Sequence, residues 1–192
     1  MVTMTASQLL RTARAANNIT QRELARRTGV PQSSISDIEN EAHDPTVATL
    51  SRLVAKAHNQ LAILPTTRLT AAETACLVRD CLVRRVPSDA PIWQLADDLA
   101  AAEPVLRAAL CVTAPLLTGD RRRDAWIAGL VAYRLGQVGI RAPAWTEEPT
   151  RVAETDWPVS DIDELVDYIR EDTPEPFRRR RVLIRDKDLV SY

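Results

Sequence analysis

Glycine, histidine and cysteine are all scarce in this chain of 192 residues, and the shortage narrows the classes of function open to it. The five glycines stand singly, so no glycine-rich loop is available to cradle a nucleotide phosphate. The two histidines, His43 and His58, fall in no HExxH arrangement. The three cysteines, Cys76, Cys81 and Cys111, are an odd number without metal-ligand spacing, and read as buried reduced thiols in a cytoplasmic protein. No apolar run approaches the roughly 18–20 residues of a membrane helix. Met1 to Gln8 lacks the basic stretch and apolar core of a signal peptide. Asp97-Asp98 and Asp161-x-Asp163 are acid pairs that could bind Mg²⁺ in principle, but each reads as a solvated helix face. The expectation is a binding protein rather than an enzyme, with no metal and no cofactor.

The net charge is −1, from 25 basic and 26 acidic residues. It hides a polarity. Residues 1–65 hold seven bases and five acids, net +2, and the remainder is net −3. A mild positive excess is thin support for a nucleic-acid partner by itself. The hydrophobic spacing is more informative. Residues 7–17 place Leu9, Leu10, Ala13 and Ala16 on one helical face. Thr20 with Glu23 has the spacing of a capping box, opening a second helix from Gln21 to Arg27 or Thr28, and Gly29 suits its end. Val30 is expected to plug the core. A third helix runs through PQSSISDIEN with Ile35 and Ile38 inward, leaving Gln32, Ser33, Ser34, Ser36 and Asp37 on the other faces. Small polar side chains pack poorly and suit hydrogen bonding to base edges and phosphates. After Pro45, residues 46–57 predict a fourth helix with Val47, Leu50, Leu53 and Val54 apolar. Leu61, Ile63 and Leu64 predict a short fifth element closing the core.

The string ITQRELARRTGVPQSSISDIENEAHDPTVATLSRLVAKA resembles the Cro/CI-type helix-turn-helix of XRE regulators over about residues 7–64. The positions that agree are Thr20-Gln21, Glu23-Leu24-Ala25, Gly29-Val30, Ser34-Ile35-Ser36, Ile38-Glu39, Pro45 and Leu50. The resemblance implies a lambda-repressor-like domain with the helix from Gln32 in the major groove. Gln32, Ser33 and Ser36 would lie nearest the base edges. Gln21 would donate to a phosphate and steady Gln32. Ser34, Asn40 and His43 would lie near the other strand's backbone, although the residues alone read His43 as a solvated loop residue. Arg14 and Glu39 would form an ion pair joining the first and third helices. Two positions depart from the family. Pro31 replaces a common capping Ser or Thr, and Asp37 stands where many members carry a basic or amide residue. An acid repels phosphate but can accept from cytosine N4. The implied partner is double-stranded operator DNA, bound by a homodimer on an inverted repeat.

Residues 66–192 form the second expected domain, helical and interrupted by an irregular Pro/Trp-rich segment. Thr70 with Glu73 predicts a capping box and a helix to about Arg85, with Leu77, Val78, Cys81 and Leu82 as its apolar face. Pro91 and Pro104 open further helices. The longest helix follows Gly119-Asp120, with Trp126, Ile127, Leu130, Val131 and Leu135 as its stripe. Residues 140–160 carry Pro143, Trp145, Pro149, Trp157 and Pro158 without helical period, which reads as an ordered, aromatic-anchored loop. A helix capped by Ser160 and a strand or extended clamp at Val182 to Ile184 complete the expectation. Residues 147–175 hold eleven acids and two bases, net −9, immediately before Arg178 to Arg181. This is either a solvated acidic face or a surface for a basic protein. The runs Arg178–Arg181 and Arg121–Arg123 could touch phosphate or pair with those acids.

The Pro-Ala-Trp turn at 143–145, Trp157-Pro158 and the Pro-x-x-Phe-Arg-Arg ending at Arg179 resemble the C-terminal region of antitoxin-type regulators. Those regulators are encoded beside nucleotidyltransferase-like toxins of the abortive-infection kind. The resemblance spans about residues 119–189 and implies a cognate protein toxin as partner, with autoregulation of the operon. Trp145, Trp157, Phe177, Arg178 and Arg179 would be the partner-facing residues, Trp and Arg being common interface anchors. Two other readings stay open: a stand-alone repressor whose helical half binds a small effector, and an enzyme tethered to a DNA-binding domain.

Overall fold

A computed structural model describes residues 4–159 and 166–189, with the side chains of 166–168 excepted. The chain divides into two compact units, residues 1–67 and 68–192. The described residues are mainly helical, and no helix among them is long and apolar enough to cross a membrane.

The first unit contains α1 (Ala6–Ala15), α2 (Gln21–Thr28), α3 (Gln32–Glu39) and α4 (Val47–Lys56). Thr5 and Gln8 cap α1 reciprocally. At α2 the Thr20 hydroxyl accepts from the Glu23 amide at 3.1 Å, but the Glu23 carboxylate turns to Arg26 and Arg27. The capping box expected there is therefore half-formed, because two nearby guanidiniums outbid one backbone amide. Gly29 ends α2 at φ 71°, which glycine reaches without strain. Leu10, Ile19, Leu24, Ile35, Ile38, Leu53, Val54 and Ala57 form a contiguous core, with Val30 and Leu61 packed against it. Asn59 closes the far end, donating to the carbonyls of Ala13 at 2.9 Å and Ala57 at 2.8 Å.

Two expectations change here. Val47 is 77% exposed, because it sits in the first turn of α4 on the outer side. The fifth element is not a helix: residues 59–64 run without regular structure, Leu61 alone returns to the core, and Ile63 is 97% exposed.

The second unit is built on α8 (Arg121–Gly136), preceded by α5 (Ala71–Val83), α6 (Ala90–Ala101) and α7 (Pro104–Cys111). The Thr70–Glu73 capping box forms, with the Thr70 amide donating to Glu73 Oε2 at 2.9 Å. The inward face of α5 is Ala71, Ala72, Thr74, Ala75, Cys76 and Val78, whereas Leu77, Cys81 and Leu82 are only half-buried. Small residues let α5 approach its neighbours closely, which apolar spacing alone does not reveal. Residues 124–131 of α8 are buried on every side rather than along one stripe. Two short 3₁₀ turns, Ala144–Glu147 and Pro149–Arg151, hold the Pro/Trp segment against α8. Trp157 and Pro158 (β1) pair in parallel with Val182 and Leu183 (β2), so the clamp at 182 is a strand. Val166–Asp172 is α9, and its expected cap at Ser160 lies outside the described residues. Glu175–Arg178 is α10.

Phe177 of α10 is fully buried on Gly129, where an added Cβ would lie 2.7 Å from Phe177 Cδ1. The same addition at Gly136 meets nothing within 4 Å. Gly129→Ala is therefore expected to destabilise the second unit by about 1–3 kcal/mol through overpacking. Gly136→Ala should be neutral or mildly stabilising, since alanine is the better helix former. Urea unfolding of both variants checks the contrast, and equal effects would contradict the packing at Phe177.

Candidate nucleic-acid interface

The last residue of α3 fixes how the first three helices meet. Glu39 is 2% exposed. Its carboxylate accepts from Arg14 Nε at 2.8 Å, Arg14 Nη2 at 2.9 Å and Gln21 Nε2 at 2.8 Å. Its backbone carbonyl accepts from Ser7 Oγ at 2.7 Å and from Arg11. Arg14 also donates to the Ile19 carbonyl between α1 and α2 at 2.7 Å. Burial pushes the Glu39 carboxyl up, yet the bonds from Arg14 and Gln21 and the charges of Arg14 and Arg11 outweigh it and hold it below its ordinary value. The expected Arg14–Glu39 pair is present, and it is a buried hub rather than an exposed weak bridge. Ser7 and Arg11 belong to the same hub and were not anticipated. Their spacing with Arg14 (7, 11, 14) places all three on one face of α1, which was the available signal.

With α3 locked from behind, its outer face is free. Gln32, Ser33 and Asp37 are exposed, and Ser34 and Ser36 are half-buried. Asn40 caps α3 and is exposed, its amide donating to Ser36 Oγ at 3.3 Å and its oxygen accepting from Arg11 at 3.3 Å. Residues 32, 33, 36, 37 and 40 share one helical face opposite Ile35 and Ile38. His43 is exposed in the following turn, where the Asp37 carbonyl accepts from the Ala42 amide at 2.9 Å and the His43 amide at 3.3 Å. Among the described residues Gln21 donates to Glu39 and makes no bond to Gln32, so the expected bracing of Gln32 is not seen.

The outer face of α3 carries no cation. The first unit's cations are elsewhere. Arg26 and Arg27 share Glu23, whose carboxyl is lowered to about 2 by hydrogen bonds to Arg26 and Arg27. Arg22 at the start of α2, and Arg52 and Lys56 on α4, are exposed and have no acidic partner among the described residues. Sequence reasoning did not single these three cations out.

In the second unit the expected partner residues separate. Phe177 is core, and Trp145 is buried with its indole N–H donating to the Cys111 carbonyl at 3.0 Å. Both were expected on a surface; here their ring area is spent holding α10 and the 140–151 segment on α8. Trp157 is half-buried, its ring 5.8 Å from that of Trp126. Arg178 and Arg179 are exposed, and Arg179 lies 3.3 Å from both Glu147 and Glu175. Arg180 is buried on the Thr146 carbonyl and Glu147, and Arg123 pairs with Asp89 and Asp120. Of the two alternatives for the arginine runs, pairing with the acids of residues 147–175 accounts for Arg121, Arg179 and Arg180, while Arg123 pairs with acids outside that block.

Asp98 was expected to face water, but it is buried and accepts from the Leu69 amide at 2.8 Å and Gln94 at 3.2 Å. Burial pushes the Cys76 thiol up to about 11 and the Cys111 thiol up to about 12, so both stay protonated at neutral pH. Among the described residues no group of three His, Cys, Asp or Glu side chains could hold a metal ion.

Removing the Glu39 charge should loosen all of α1 to α3. Glu39→Ala is expected to cost about 3 kcal/mol, the lower end for a broken buried pair because Arg14 keeps some contact with water. The lowered carboxyl contributes stability that is present above the ordinary value near ~4.3 and lost as pH falls through the folded value. Protection factors of the α1–α4 amides in the full chain, corrected for the intrinsic pH dependence of exchange, should therefore fall on acidification below that range. Glu39→Gln should flatten this acid dependence; an unchanged profile would contradict the hub.

Comparison with protein families matches residues 10–56 to the family described as helix-turn-helix. No curated protein and no solved structure matches the chain. The match spans the end of α1, the α2–turn–α3 pair and all of α4, and leaves the second unit unassigned. The first unit is an XRE-type helix-turn-helix DNA-binding domain with a lambda-repressor-like fold.

Proposed function

We propose that this protein is a transcriptional repressor that reads operator DNA with α3 and binds a cognate protein toxin through its second unit. The observation that carries the DNA half is the outer face of α3. Gln32, Ser33, Ser36 and Asp37 are small and polar, spend almost nothing on internal bonds, and project from a helix anchored by Glu39. An amide and hydroxyls suit base edges, while Arg22, Arg52 and Lys56 supply phosphate contacts. Ser34, Asn40, His43 and Gln21 flank that face. With one acid and no cation on the reading face, a single domain is a weak binder. Two copies on an inverted repeat raise the affinity without new contacts.

The toxin half rests on the likeness of residues 119–189 to antitoxin-type regulators and on one surface. Trp157 is half-buried and Arg178 exposed, exposed Arg179 lies 3.3 Å from both Glu147 and Glu175, and Glu148 and Glu154 are exposed as well. That combination suits a partner with a basic rim and a slot for an aromatic ring. Trp145 and Phe177 serve this surface from beneath, by holding the backbone that carries it. Repression of its own operon follows if toxin binding and DNA binding use different units.

Two measurements test the reading. Gln32→Ala with Ser33→Ala should weaken sequence-specific binding by about 1–3 kcal/mol per lost base contact, with low-salt non-specific binding retained. Unchanged specific binding in an electrophoretic shift assay would move the reading surface off α3. For the partner, tagged full-length protein retrieved from nuclease-treated native lysate should bring down a stoichiometric nucleotidyltransferase-like protein. Trp157→Ala with Arg178→Glu should release it. Recovery of the repressor alone would remove the toxin half and leave the DNA half standing.

A further inference from the structure

We propose that the cavity at the start of α8 is a binding site for a small amphiphilic anion, one acidic group on a compact apolar body. The cavity measures about 610 Å³. It is bounded by Leu82 and Val83 at the end of α5, by residues 118–122, and by Glu154 and Thr155. That volume is in the range of small-molecule sites, which run from roughly 300 to 1,000 Å³.

The charges around it are spent, with one exception. Asp120 caps α8 by accepting from the Arg122 amide at 2.9 Å, and its other oxygen holds Arg123. The Arg121 guanidinium donates to the carbonyls of Val152 at 2.7 Å and Pro149 at 3.1 Å, and lies 3.6 Å from Glu154. The Arg122 side chain is exposed on the cavity wall and has no acidic partner among the described residues. One unneutralised guanidinium calls for one anionic group, which it can grip with two parallel N–H bonds if that group is a carboxylate, sulfonate or phosphate.

Part of the lining is apolar and open. Val83 is 74% exposed, Leu82 is half-buried beside it, and Leu117, next to the cavity-lining Thr118, is 45% exposed. A ligand that only neutralised Arg122 would leave this wall wet, and an uncharged apolar one would leave the guanidinium unpaired. An amphiphilic monoanion meets both requirements. The site uses none of Trp157, Arg178 or Arg179 and shares only Glu154 with the proposed toxin surface.

The test is fluorescence titration of the full-length protein with 8-anilinonaphthalene-1-sulfonate, an anion on an aromatic body, alongside uncharged N-phenyl-1-naphthylamine. The sulfonate should saturate one site per chain. Arg122→Gln should weaken it about tenfold, the loss of one charge-assisted contact, with little change for the uncharged dye. Val83→Asp should weaken both dyes. Arg178→Gln, an exposed arginine away from the cavity, should change neither. Circular dichroism confirms that each exposed substitution leaves the fold intact. Absence of a saturable site, wild-type affinity in Arg122→Gln, or an equal loss in Arg178→Gln would each overturn the assignment.

Discussion

A carboxylate buried at the end of α3, with both oxygens taken by Arg14 and Gln21, sets the geometry on which the first unit depends. A lone buried charge would be costly, and here three hydrogen bonds and a guanidinium offset that cost. Because the donors come from α1 and α2, satisfying Glu39 requires one arrangement of the three helices. The angle of α3 then follows, and with it which residues leave the surface: Ile35 and Ile38 inward, Gln32, Ser33 and Asp37 outward. Specific DNA reading needs a helix held rigidly from behind, since a loosely held one would exchange base contacts for conformational freedom.

Arginine does comparable work in the second unit. Arg107 donates to the carbonyls of Ala100, Ala102 and Arg134, each at 3.0 Å. Arg134 reaches the Leu189 carbonyl at 3.0 Å, and Arg180 the Thr146 carbonyl at 2.7 Å. Arg151 is buried with its guanidinium 4.9 Å from the centre of the Trp145 ring. Irregular backbone exposes carbonyls that no helix satisfies, and a guanidinium has five donors in a rigid fork to meet them. The short turns of the Pro/Trp segment and the described residues 173–189 are thereby fastened around α8 by more than their own brief elements. The arginines left over, Arg122 and Arg178 among them, are the ones available to ligands.

The legible parts were those where local chemistry decides. The caps at Thr20, Thr70 and Gly29 and the inward pair Ile35 and Ile38 were readable because capping and periodicity act within one or two turns. The Arg14–Glu39 pair came from resemblance, but its depth of burial did not, since that depends on Ser7, Arg11 and Gln21 converging from two other helices. Val47 and Ile63 misled because apolar character does not say which side of a short element faces the core. The inner face of α5 was misread for the opposite reason, since alanines gave way to larger apolar residues as the expected core. Trp145 and Phe177 were expected outside because interface anchors and core anchors have the same composition. Their burial follows from the contact with Gly129 and from the Cys111 carbonyl, both distant in sequence.

The most direct test of the central claim is amide hydrogen exchange of the full-length protein with and without a duplex carrying its own promoter region. The account predicts that protection on binding concentrates at the start of α2, along α3 and in the turn to His43, with the core of α8 unchanged. Protection confined to α4 or to the second unit, with α3 unaffected, would contradict it.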